Sequence, residues 1–229
     1  LEIVAVDGEP LSAEAQRMLE HLRSRAASLG TPGIRDRVRA AARELESAIA
    51  AVSEAQSRLR PIANKWTIAE VVDHIAQTQI RGAEELRHLL AGRRPPGPPV
   101  YEALRTGAAQ WAPWSELVEG LRSANEELNA LLASAPESEP APDAPGVRTV
   151  LVVNRSLPGG GTAPQIFITD LDWREYALLQ RLHLLDHRTQ IKNLRAALEV
   201  REHTAPPLCD RILFFKETTS LCAFGLRCC

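Results

Sequence analysis

The sequence predicts an all-α fold, an up-down helical bundle with an extra N-terminal helix and a small β-hairpin set into it. Three observations carry this. Aromatic residues make up only 4% of the 229 residues, while Ala, Leu and Arg are abundant, a bias toward helix. Apolar residues recur at three- and four-residue steps through most of the chain. Breaker-rich stretches separate these segments, and only one interval reads as strand.

The first element is a short apolar alternation, Ile3 to Val6. A helix over 12–29 follows, with Ser12 as N-cap and Gly30 as C-cap. Thr31, Pro32 and Gly33 read as a breaker. The second bundle segment is a single helix over 34–59, striped by Ile34, Val38, Leu45, Ile49 and Val52. After a turn at 61–65, Thr67 and Glu70 form a capping-box pattern, with Trp66 before the cap. That helix runs to about residue 91 and turns Val71, Ile75, Ile80, Leu86, Leu89 and Leu90 inward. His74 adjoins this apolar face; His21 and His88 read as surface residues.

Residues 93–99, Arg-Arg-Pro-Pro-Gly-Pro-Pro, are a stiff connector that cannot be helical. Residues 101–112 carry no clear pattern. A third bundle helix spans about 114–133, with Leu117, Leu121, Leu128, Leu131 and Leu132 inward. A Pro-, Ser- and acid-rich loop follows. Residues 147–153 and 164–168 read as two strands of a hairpin, joined through the Gly-rich turn at 157–162. That Gly run lacks the Lys-Ser/Thr of a phosphate loop. The last helix begins near Thr169–Asp170 and ends near Leu198.

This last helix holds His183 and His187 four residues apart, hence on one face and one turn apart. Two imidazoles so placed can share a metal ion if a third ligand comes from elsewhere, and His74 is the candidate. Neutral imidazoles suit Zn²⁺ or Ni²⁺, with Fe or Mn as further choices, and three of them leave a coordination position open. Glu70, Asp73, Gln77, Asp186 and Gln190 are near in sequence and are candidates to hold a ring N–H and so orient an imidazole toward the ion. Leu184 follows His183, so the His-Glu-x-x-His pattern of a metalloprotease is absent.

The combined pattern resembles the DinB-like superfamily. It is carried by Trp66-x-x-x-Glu70-x-x-x-His74-Ile75, then Trp173 and His183-x-x-x-His187-Arg188-x-Gln190-Ile191. The resemblance spans about 34–198. It implies a metal-binding four-helix bundle, with helices at about 34–59, 67–91, 114–133 and 170–198, the hairpin between the third and fourth, and His74, His183 and His187 as ligands. Residues 1–33 are then an N-terminal extension, 34–199 the bundle and 200–229 an atypical tail.

The resemblance also implies a metal-dependent transferase using a low-molecular-weight thiol, or a hydrolase, acting on a small-molecule substrate. The alternative is a non-catalytic bundle acting through homodimerisation or protein contacts. Substrate-pocket residues are expected from the loops at 93–113 and 135–168.

Charge and cysteine usage narrow the class. A net charge of -2 and a pI near 6.4 give no basic face for nucleic acid. No apolar run approaches the ~20 residues of a membrane span, and the first residues lack the pattern of a signal peptide. All cysteines, Cys209, Cys222, Cys228 and Cys229, lie in the tail, so the expectation is a cytoplasmic protein without a disulfide framework. The tail's foreign composition raises the expectation that an altered reading frame replaced the natural C-terminus.

Overall fold

The computed structural model describes residues 4–5, 9–141 and 143–204. The four cysteines and the apolar run at 212–215 lie outside these residues. Helix α1 spans Ala13–Ser28, and the Ser12 side chain accepts the Ala15 N–H as expected. Gly30, expected to end α1, instead caps the start of α2, Thr31–Ile49. The supposed breaker is the first turn of α2. Pro32 is tolerated there because a first-turn N–H has no intrahelical partner to lose.

The expected single helix at 34–59 is two helices. α2 stops at Ile49, and α3 (Glu54–Arg58) starts anew from a capping box between Ser53 and Gln56. Val52 stays buried although it lies between the helices, so the apolar stripe runs on through a break in the backbone.

α4 spans Ile68–Leu90 and opens on the expected Thr67–Glu70 capping box. Ile80 does not face inward: it is 46% exposed, and its neighbour Gln79 is fully buried. Gln79 donates to Gln180 across the interface, so a polar pair holds the inward position there. After the proline-rich connector, a short 3-10 turn (Ala108–Gln110) leads to α5, Trp114–Ala133.

Strands β2 (Val147–Ser156) and β3 (Thr162–Leu171) pair antiparallel, from Val147 opposite Leu171 to Ser156 opposite Thr162. Gly159, Gly160 and Gly161 all hold positive φ in the turn, which explains three glycines in a row. β1 (Val4–Ala5) pairs with β3 at Phe167 and Ile168. The hairpin thus becomes a three-stranded sheet with β3 central. Pro164 lies beyond the reach of β1, where its missing N–H breaks no ladder.

α6 is Trp173–Thr204. Thr169 and Asp170 still pair with β2, so the helix begins later than expected. It starts where Asp172 Oδ1 accepts the Arg174 and Glu175 N–H groups. It also continues past Leu198 by more than a turn.

Hydrogen-bonded residue pairs fix the relative directions of the four long helices. Between α4 and α6 they are His74 with His183, Gln79 with Gln180, and Glu85 with Tyr176, an antiparallel sequence. α2 runs parallel to α6, through Glu44 with Arg188 and Ala48 with Arg195. α2 runs antiparallel to α5, through Glu46 with Asn125 and, just past the end of α2, the Val52 carbonyl with Trp114.

α4 and α5 therefore run parallel. Their first turns share one apolar cluster, with Ile68, Ile75, Trp114 and Leu121. Their later turns share another, with Leu86, Leu89, Leu128 and Leu132. The strict up-down order expected from sequence does not hold at this step. The whole segment between the helices, 91–113, has as many residues as α4; extended, such a chain reaches about twice the ~35 Å of the helix, so it can return α5 to the starting end.

α1 is packed into the fold. Leu22 and Ala26 join the cluster containing Tyr176 and Leu178. Ala15 and Leu19 meet Leu151 and Phe167 of the sheet. Among the described residues no helix is long and apolar enough to cross a membrane.

Candidate metal centre

His74 sits in the second turn of α4, and His183 and His187 occupy successive turns of α6. The antiparallel packing of these two helices brings all three together. His183 Nε2 lies 3.1 Å from His74 Nε2 and 3.0 Å from His187 Nε2. One ligand atom from each residue falls within 4.8 Å of the others.

The outer ring nitrogens explain why the inner ones converge. His74 Nδ1 lies 2.9 Å from the Leu104 carbonyl, and His187 Nδ1 lies 2.7 Å from Gln190 Oε1. Those oxygens can only accept, so both rings carry their proton on Nδ1 and present a bare Nε2 lone pair. His183 Nδ1 is buried with no partner. If it holds the proton of that ring, three lone pairs meet at one point. If it does not, a single proton is shared among three Nε2 atoms. A cation among the Nε2 atoms relieves the first arrangement, so the donor set fits a divalent metal.

Burial keeps the rings in the neutral form that ligation needs. It is the main cause lowering the pKa of all three below 6.5. The effect is largest at His183, where the other two imidazoles add to it. The Leu104 carbonyl opposes it at His74, and Gln190 opposes it at His187.

Neighbouring groups hold His74 in place. Trp66 meets its ring edge-on at 5.1 Å, and Arg105 lies 4.8 Å over the Trp66 ring. Asp73 accepts from Thr106 Oγ1 at 2.7 Å and from the Gly107 N–H at 3.1 Å. It thereby pins the loop that presents the Leu104 carbonyl.

Of the expected orienting residues, Gln190 bonds the His187 ring directly. Glu70 does not; its carboxylate takes the Thr67 N–H and pairs with Arg60. Gln77 is half-buried on α4 and bonds none of the three rings. Asp186 lies in a cavity wall. Leu104 escaped sequence reading, because a main-chain carbonyl leaves no residue-type signal.

A cavity of about 570 Å³ opens onto His74 and His183. Its walls come from α1, α4, α6, β2 and the loop at 100–104, so both stretches expected to supply pocket residues contribute. Apolar wall is supplied by Met18, Val150, Leu151, Leu179 and Leu182, and polar wall by Thr78, Arg81, Glu85, Arg148, Tyr176 and Gln180.

The sequence model of one protein family, described as the DinB superfamily, matches residues 37–157. This span includes His74 and ends before α6. No curated protein and no solved structure matches the chain.

Proposed function

The chain belongs to the DinB superfamily, and from that premise we propose that it is a metal-dependent enzyme acting on a small molecule at a three-histidine centre. In this reading α2, α4, α5 and α6 form the family's four-helix bundle, and His74, His183 and His187 hold a divalent ion, Zn²⁺ or Ni²⁺. The observation that carries the proposal is the convergence of the three Nε2 atoms beside a cavity of about 570 Å³.

A bound ion supplies Lewis acidity, which lowers the pKa of a thiol or a water and makes it a better nucleophile at neutral pH. The protein's own groups do the rest. Leu104 and Gln190 fix two imidazoles by their Nδ1–H groups. Asp186, which lines the cavity, accepts the nucleophile's proton in this reading. The apolar wall keeps bulk water from the electrophile, which favours transfer to a thiol over hydrolysis.

The test is a screen of small thiols against model electrophiles, with and without added metal. Thiol consumption that requires metal and is lost in His183→Ala supports a transferase. Electrophile loss that requires metal but no thiol assigns a hydrolase. A metal-loaded chain inactive toward every pair counts against the enzymatic reading.

A further inference from the structure

The cavity has a second polar end. Thr78, Arg81 and Glu85 follow His74 on the same face of α4, at four, seven and eleven residues. A rise of 1.5 Å per residue puts Arg81 about 10 Å along the axis from His74. On α6, Gln180 and Tyr176 step away from His183 in the same direction, and Tyr176 donates to Glu85. β2 closes this end with Arg148.

A smaller cavity of about 260 Å³ adjoins it, lined by Arg94 and the 95–99 loop, and shares Arg81, Glu85 and Arg148 with the larger one. Three guanidiniums therefore stand around two carboxylates. Arg81 pairs with Glu85 at 2.7 Å. Arg94 and Arg148 share the single carboxylate of Asp170, at 3.3 and 3.4 Å.

We propose that this end is a carboxylate-binding subsite. The substrate is then a small amphipathic acid whose carboxylate lies between Arg81 and Arg148 and whose reactive atom reaches the histidines. The assignment of the reactive end rests on the metal-dependent reading above; the anion subsite does not.

Two observations carry it. The Arg148 bonds to Asp170 are each 3.4 Å, longer than the ~2.7–3.2 Å of a well-made N–H···O bond. Arg148 therefore keeps donors for a better-placed acceptor, and a guanidinium fork matches a carboxylate. Second, three arginines against two acids leave one positive charge uncompensated, which suits a singly charged carboxylate better than a doubly charged phosphate. Glu102 and Asp186 also line the cavity, in the loop carrying Leu104 and beside His187, toward the histidine end. There they repel an anion and set its orientation. Between the two ends lie Leu151 and Leu179, against which an apolar body packs.

The test uses the full chain, as purified and after chelation, with 4-phenylbutanoate, its amide and the matching phosphonate as calorimetric probes. The carboxylate should bind about tenfold more tightly than the amide, the value of one charge-assisted bond, and more tightly than the phosphonate. Binding should persist in chelated protein and weaken at least about fivefold in Arg148→Gln, a substitution at a half-exposed hairpin residue that leaves the histidines intact. Arg81→Gln, compared at matched folded fraction, should act in the same direction. Equal affinity for acid and amide overturns the proposal, as does tighter binding of the phosphonate. So does binding that requires metal and ignores Arg148→Gln, because the carboxylate then sits on the ion. Metal content, measured on the same samples, reports separately on the three-histidine reading.

Discussion

His183 is the residue on which the cluster turns. It touches both other imidazole rings, and its own Nδ1 lacks a partner. Its neighbours have their tautomers set from outside, so removing one of those supports should loosen the site without removing a ligand. Gln190→Ala is expected to weaken metal binding by about 10–100-fold, read by competition with a chromophoric chelator. An unchanged affinity would remove Gln190 from the positioning role.

The pH dependence follows from the depressed imidazole pKa values. Below about 6.5 the unfolded chain takes up protons at these histidines while the metal-free folded chain still excludes them. Their contribution to stability is thus intact above that value and is lost as pH falls toward the lowered folded pKa values. The urea midpoint of metal-free protein should drop between pH 7.5 and 5.5, and drop less in His183→Leu. An equal drop in both would contradict this linkage. His183 and His187 were legible in sequence because i,i+4 spacing on a helix is a geometric statement, and His74 because it adjoins the apolar face of a well-capped helix. Leu104 and the Asp73–Thr106 clasp were not, because they act through a main-chain carbonyl and a loop whose path sequence does not fix.

The capping box that opens α4 holds the first turn of the helix that carries His74. Thr67→Ala should cost about 1 kcal/mol, measured by chemical denaturation, and a neutral result would mean that packing alone holds that turn. Farther along, α4 approaches α6 at Gly82, where an added Cβ would lie 3.0 Å from the Gln180 side chain. Gly82→Leu should destabilise by about 1–3 kcal/mol through overpacking and distort the cavity wall that Gln180 forms. Stability at or above the parent would show that Gln180 yields freely. Strong local signals such as Ser12, Thr67–Glu70 and the glycine turn were readable in the sequence. Those that periodicity masked were not. Val52 continues an apolar stripe across the α2–α3 break, and Gln79 occupies the inward position that Ile80 was expected to hold.

Across the whole molecule, the apolar pattern identified the helices but not their order of direction. Nothing in the residues at 93–99 says that α5 returns to the starting end; that follows from which side chains meet. Nor did it place α1, whose Leu22 is 1% exposed against α6. Leu22→Ala should cost about 2–5 kcal/mol, and a cost near zero would mark α1 as loosely attached. In the proposed reading this fold brings three imidazoles from two helices onto one ion. Elemental analysis of the full chain, incubated with Zn²⁺ or Ni²⁺ and then desalted, tests it most directly. About one ion per chain is expected, as a single three-histidine site holds, and almost none in His74→Ala and His187→Ala. A parent chain that emerges without metal, or variants that retain as much as the parent, would contradict it.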